Sequence, residues 1–180
     1  MHAAVEPEER SARFEALFRA EYPAVAGYIG RRAEPDSVDD LVDEVFLVAW
    51  RRLERVPAEP RPWLLTVAHN HVRNHRRRTA RDRALVERLP PPEPTPPPRE
   101  PGGPGWRDIR RALDALSDED RELVLLVAWD GLSPAQAASV LGLTPAAART
   151  RLHRARVRLA DLLGVEHRRG KRLAGGLKRE

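Results

Sequence analysis

Nine of the 17 prolines in this 180-residue chain fall between Pro90 and Pro104, in the run PPPEPTPPPREPGGP. A stretch so dense in proline lacks the N–H groups that a helix or sheet ladder needs, and its fixed φ favours extended polyproline II. No single compact unit can run through it. The chain is therefore expected to fold as two small units joined by a tether over 89–105, which at about 3.1 Å per residue reaches roughly 50 Å. By composition this tether reads as a passive linker.

Both flanking segments carry helical periodicity, and nothing reads as a strand, so the expected class is all-α. Upstream, Phe14, Leu17, Phe18, Val25 and Ile29 recur at helical spacing, with Tyr22 and Tyr28 near the same face. Gly30 and Glu34-Pro35 end that helix, and Asp36 with Asp39 is a candidate N-cap pair for the next. There Val38, Leu41, Val42, Val45, Ala49 and Leu53 form an apolar stripe, bordered by Asp39, Asp40, Asp43 and Glu44. Pro57, Pro60 and Pro62 then force a loop, with Pro62 suited to a first helical position. Leu64, Val67, Ala68, His71, Val72 and His75 make a third stripe, followed by Arg76, Arg77 and Arg78.

Downstream the punctuation is sharper. Trp106, Ile109, Leu113 and Leu116 predict a short helix. Ser117 with Asp120 predicts a capped start for the next, and Gly131 its end. Ser133-Pro134-Ala135-Gln136 restarts at once with N-cap, first-turn proline and reciprocal glutamine. Gly142-Leu143 turns the chain, and Thr144-Pro145 opens a last helix with Ala148, Leu152, Ala155, Leu159 and Leu162 on one face, ending at Gly164. Two helices joined at one glycine, the second rich in arginine, describe a helix-turn-helix. Ala137 and Ala138 allow a close helix crossing. The outer face of the last helix offers Arg149, Thr150, Arg151, His153, Arg154, Arg156 and Arg158, and arginine pairs with guanine edges or phosphates. A basic face alone would equally suit an ordinary solvated helical hairpin; the caps and the glycine turn point to DNA.

Charge alternates along the chain. Residues 1–60 carry 8 basic and 13 acidic groups, 61–88 carry 8 and 2, 106–130 carry 4 and 7, and 131–180 carry 11 and 3, within a total of +5. Acidic and basic blocks thus alternate twice, a more specific pattern than a generally basic chain shows. No apolar run reaches the roughly 18 residues of a membrane span, and the acidic start MHAAVEPEERS does not resemble a secretory signal. With no cysteine there is no disulfide, thiol nucleophile or Cys-ligated metal. A cytoplasmic protein is expected. His71 and His75 stand i, i+4, as two metal ligands on a helix would, but no third ligand has matching spacing. The acidic group Asp39, Asp40, Asp43, Glu44 lacks the paired base or phosphate-cradling loop of a nuclease. No Walker motif or nucleophile elbow is present. Neither an enzyme nor a cofactor, metal or small-molecule substrate is expected.

The blocks DLVDEVFLVAWRRL (40–53), WLLTVAHNHVRNHRRR (63–78) and ALDALSDEDRELVLLVAWDGLSPAQAASVLGLTPAAARTRLHRARVRLADLL (112–163) resemble, in that order, regions 2.2, 2.3 to 2.4 and 4 of an extracytoplasmic-function sigma factor of the sigma-70 family. The resemblance implies a region 2-like unit at 8–88, a linker at 89–105, a region 4-like unit at 106–164 and a basic tail at 165–180. It implies binding to core RNA polymerase at the β′ clamp and β flap, recognition of −10 and −35 promoter elements, and control by an anti-sigma factor. By position, Asp40, Asp43 and Glu44 match the core-binding helix. Trp63, Asn70, Asn74, Arg76, Arg77 and Arg78 match the −10 surface, with Trp63 also suited to the core. Arg149, Thr150, Arg151, His153 and Arg154 match the −35 surface. The loop Glu54–Pro62, which carries −10 specificity in the family, is short and proline-rich here. The competing function class is a free-standing regulator using the same helix-turn-helix, which would carry a sensor or dimerisation unit at 1–88.

Overall fold

The computed structural model describes residues 7–86 and 104–164, with side chains over 7–82 and 106–164. The tether up to residue 103 and the tail at 165–180 lie outside the described residues. Seven α-helices make up the described chain: α1 (Pro7–Gly30), α2 (Val38–Arg51), α3 (Pro60–Val86), α4 (Pro104–Asp114), α5 (Asp118–Ala128), α6 (Pro134–Leu141) and α7 (Pro145–Leu162). Among the described residues there is no strand, as the periodicity predicts.

Helices α1, α2 and α3 pack mutually as a three-helix bundle. Their inward faces carry Val25, Tyr28 and Ile29 from α1, Leu41, Val42, Val45, Phe46 and Ala49 from α2, and Leu64, Leu65, Ala68 and Val72 from α3. These positions recur every three to four residues, which is why each helix presents one apolar stripe. Phe18 lies 4.6 Å from Phe46 between ring centroids, and Phe14 lies 5.1 Å from Trp50. Phe18 and Tyr22 remain part-exposed, so the expected α1 stripe is only half covered at its N-terminal end. Pro23 sits inside α1. It removes one backbone hydrogen bond, and the packed stripe carries the helix through.

Two expected helix starts are corrected. Asp36 does not cap α2: Pro35–Ser37 form a single 3-10 turn, and Ser37 stands at the cap without a side-chain hydrogen bond. Pro35, its φ preset for a helical turn, starts that turn itself. Likewise α3 begins at Pro60, two residues before Pro62. Pro62 still falls in the first turn, where a missing N–H leaves no intrahelical bond unmade.

Helix α4 begins at Pro104, inside the segment expected as tether through residue 105, because a proline is tolerated in a first helical turn; the three starts after it match expectation. Ser117 Oγ accepts from the Asp120 N–H at 3.2 Å, and Thr144 Oγ1 from the Ala147 N–H at 3.2 Å. At α6 the box closes both ways, Gln136 N–H to Ser133 Oγ at 3.3 Å and Ser133 N–H to Gln136 Oε1 at 2.8 Å. Gly142 takes φ 66°, and the Leu143 N–H reaches back to the Ala138 carbonyl at 2.8 Å, the hydrogen bond of a glycine-terminated helix. The two units do not stand apart. Helix α6 packs directly on α3, and the apolar cluster of the bundle continues into Leu123, Leu126, Ala137, Val140 and Leu152.

Candidate nucleic-acid interface

Helix α7 is oriented by what it buries. Ala148, Leu152 and Ala155 are buried against α5 and α6. Ala137 and Ala138 of α6 are likewise fully buried, small residues as the expected close crossing requires. Arg149, Thr150, His153 and Arg154 consequently point to solvent along the first half of α7. The Thr150 hydroxyl donates to the Ala146 carbonyl at 3.1 Å, which turns it back onto its own helix. Arg151 differs from its neighbours: half-buried, it is ion-paired with Glu119 of α5, whose charge holds the guanidinium even further toward its protonated form.

On α3, Asn70, Asn74, Arg77 and Arg78 are exposed, and their spacing of three to four residues puts them along one side of the helix. Arg76 is exposed but anchored, its Nε donating to the Arg32 carbonyl at 3.0 Å. Trp63 packs against the hydrophobic cluster, as its core alternative anticipated. His71 donates to Glu44 Oε2 across a 2.5 Å contact, and His75 lies 3.5 Å from the Thr79 hydroxyl. The two imidazoles therefore engage different partners. Asp40, Asp43 and Glu44 are exposed on α2. Leu47, one turn beyond, is 46% exposed and adds an apolar residue to that acidic face, a position the stripe pattern did not single out.

The feature that sequence reasoning missed is a buried ionic cluster between the two units. Arg32, in the turn just past α1, has a side chain only 3% exposed. Its Nε donates to both Glu122 oxygens at 2.8 Å, its Nη1 to the Tyr28 carbonyl at 3.0 Å and its Nη2 to Asp130 Oδ2 at 3.2 Å. The guanidinium also lies over the Tyr28 ring, 3.7 Å from its centroid. Arg31 pairs with the other Asp130 oxygen. Tyr28 donates its hydroxyl proton to Glu122 Oε1 at 2.8 Å, so the His69 Nδ1 at 3.1 Å carries the proton it shares with the tyrosine oxygen.

Burial works against the Glu122 carboxylate, but the His69 imidazole and the Arg32 guanidinium outweigh it and hold the group down to about 2. At 3.9 Å the His69 contact with Glu122 is electrostatic, not a hydrogen bond. Burial and the neighbouring Glu122 charge push the Tyr28 hydroxyl far up, so it stays a donor. Burial also pushes the Asp130 carboxyl up, against the pull of two guanidiniums. No local signal pairs Arg31-Arg32 with carboxylates some 90 residues away; only the meeting of the two units does.

Comparison with known proteins agrees with this division. Residues 17–82 match Sigma-70 region 2, and residues 106–159 match Sigma-70, region 4. The RNA polymerase sigma factor CarQ of Myxococcus xanthus is 32% identical over 157 residues, covering 84% of this chain and 89% of CarQ. The ECF RNA polymerase sigma factor SigL of Mycobacterium tuberculosis is 33% identical over 149 residues, covering 77% and 84%. Among solved structures, the sigma factor RpoE in complex with the anti-sigma factor NepR from Bartonella quintana aligns with a TM-score of 0.66 at 25% identity, over 86% of this chain and 98% of that one. CnrH in complex with the cytosolic domain of CnrY aligns with a TM-score of 0.57 at 27% identity, over 86% and 89%. With both regions matched in order and relatives covered along most of their length, the chain belongs to the extracytoplasmic-function sigma factors of the sigma-70 family, non-enzymatic subunits that bind core RNA polymerase and promoter DNA to direct promoter-specific initiation.

Proposed function

We propose that residues 8–88 engage core polymerase and the −10 element while residues 106–164 read the −35 element, the Pro-rich segment 89–105 tethering the two. The observation that carries this reading is the one-sided exposure of α7: Arg149, Thr150, His153 and Arg154 face solvent while Ala148, Leu152 and Ala155 lock the helix from behind. A helix held this way can enter a major groove with its N-terminal half. Arg149 and Arg154 are the base-reading candidates, with Arg151 beside them. Asn70, Asn74, Arg77 and Arg78 offer hydrogen bonds and charge to the −10 strand and its phosphates, with Arg76 fixed beside them and Trp63 supporting α3 from within. Asp40, Asp43 and Glu44, with Leu47, form the surface for the β′ clamp, and the region 4 unit contacts the β flap. The chain works in the cytoplasm, where the polymerase is. Structural relatives solved with anti-sigma factors support an anti-sigma partner here too.

Reconstitution with core polymerase on a promoter library tests this. Arg149→Ala should weaken binding by about 1–3 kcal/mol and relax preference at a single −35 position. A loss spread evenly over all promoter sequences would instead assign Arg149 to phosphate. A chain that neither joins core nor directs specific initiation would return the field to a free-standing regulator.

A further inference from the structure

The region 4 unit leaves an aromatic ledge open to solvent. Trp106, in the first turn of α4, meets Trp129, at the C-cap of α5, edge to face, with ring centroids 5.3 Å apart and planes at 72°. Trp129 is 48% exposed, and Ile109, one turn along α4 from Trp106, is 37% exposed. Residues three apart on a helix share a face, so Ile109 extends the ledge along α4 from the indole pair. A Trp held half in water keeps both a broad apolar face and an indole N–H to offer. The ledge lies on α4 and α5, not on α3 or α7, so the proposed promoter surfaces give it no task.

The chain itself supplies a segment of matching chemistry. In the Pro-rich run, Pro91, Pro94 and Pro97 are spaced by three, and so are Pro98, Pro101 and Pro104. Polyproline II turns once in three residues and rises about 3.1 Å per residue, so one such repeat sets two proline rings about 9 Å apart on one side. Grooves lined by aromatic side chains read that repeat. A polyproline II backbone makes no hydrogen bonds of its own, which leaves its carbonyls free to accept from an indole N–H.

Where the run ends decides among occupants. Pro101 stands five residues before Trp106, with Gly102 and Gly103 directly ahead of α4. Glycine takes either sign of φ at no steric cost, so the chain can reverse there and lie back along α4. A short attachment of this kind holds a segment at millimolar effective concentration, and modest stacking on each ring then suffices. Charge agrees: Glu100 lies in the run, and Arg107 stands exposed beside Trp106. A second copy of the chain or the β flap would also suit an apolar ledge, but neither is held this close to it.

We infer that Pro94–Pro101 docks on the ledge of Trp106, Ile109 and Trp129, so that part of the tether belongs to the surface of the region 4 unit and the stretch left between the two units is shorter than its sequence implies. The full chain, whose tryptophans are Trp50, Trp63, Trp106 and Trp129, is labelled with 5-fluorotryptophan, and each fluorine resonance is assigned by replacing one tryptophan at a time with phenylalanine. Pro94→Ser, Pro97→Ser, Pro98→Ser and Pro101→Ser together keep the length of the segment and remove both repeats. In that variant the Trp106 and Trp129 resonances should move, and a soluble paramagnetic chelate should broaden Trp129 at least twofold more, while Trp50 and Trp63 stay in place. Resonances unchanged in position and in access to the chelate would overturn the proposal. A Trp129 resonance that shifts on dilution of the unaltered chain assigns the ledge to a second copy. One that is the same in both free chains and moves only when core polymerase is added assigns it to the flap, and either result sinks the tether as occupant. Trp129→Ala in the full chain gives the converse: the Thr95, Arg99 and Glu100 amide resonances should sharpen to those of a free chain, with helical circular dichroism retained. Amides already that sharp in the unaltered protein would contradict docking.

Discussion

The two halves of this molecule hold their helices by different means. The region 2 bundle uses length and packing: α1 and α3 run 24 and 27 residues, and α2 enters without a side-chain cap. Region 4 uses punctuation: α5, α6 and α7 are 11, 8 and 18 residues, and each opens on a Ser or Thr whose oxygen accepts a backbone N–H. An isolated helix of 8 residues is not stable in water, since nucleation costs more than so few hydrogen bonds return. Short helices therefore need defined ends, and a reader of major-groove edges needs those ends so that its side chains arrive in register. The bundle can tolerate imprecise ends because its stripes decide where the helices lie.

The largest expected effect breaks the bundle at its packing. Leu65 is fully buried in α3 among residues of all three bundle helices. Leu65→Ala should cost about 2–5 kcal/mol, from lost transfer energy and the residual cavity. Chemical denaturation followed by circular dichroism reads this. A cost below about 1 kcal/mol would mean that the bundle, too, depends on something other than its core.

The next effect belongs to the turn of the helix-turn-helix. Gly142 sits at φ 66°, and a Cβ added there would meet nothing within 4 Å. The penalty of Gly142→Ala is then backbone strain alone, about 1–2 kcal/mol. Gly30, which ends α1 without a positive φ, should accept alanine at little cost by the same measurement. An equal loss at both glycines would erase the contrast between a punctuated and a packed half.

The caps sharpen the contrast further. Ser133 closes a reciprocal box with Gln136, so Ser133→Ala should destabilise by about 1 kcal/mol. Ser37 holds the same formal position on α2 with no side-chain bond, and Ser37→Ala should be nearly neutral. Thermal or denaturant midpoints of the two variants, compared with the unaltered chain, decide it.

This contrast also explains what could be read from the residues alone. Helix ends in region 4 were legible because Ser117, Ser133, Gly131, Gly142 and Thr144 act on neighbours within a few residues. In region 2 the stripes were legible but the starts were not: Pro35 and Pro60 took the positions assigned to Asp36 and Pro62, because several prolines and acids there satisfy the same local rule. The outward face of α7 followed from its inward one. The Arg32 cluster followed from nothing local, since Glu122 and Asp130 come to it through the packing of α6 on α3. A pattern of short range cannot encode a contact whose partners are set by two stripes meeting.

Arg151 gives the smallest effect and the finest test of how region 4 divides its arginines. It shares α7 with Arg149 and Arg154, yet it is half-buried and tied to Glu119 of α5, where the other two are exposed. An ion pair this open to water contributes little to stability, and added salt should screen part of it. Arg151→Ala should therefore change the unfolding midpoint slightly, and by less at high salt. Glu119→Gln separates the two roles of the side chain. If Arg151 leaves Glu119 to reach DNA, removing the carboxylate frees it, and affinity for a −35 duplex should rise while stability falls only slightly. If Arg151 only braces α7 against α5, Glu119→Gln and Arg151→Ala should give the same small loss of stability and leave base preference at the −35 element unchanged.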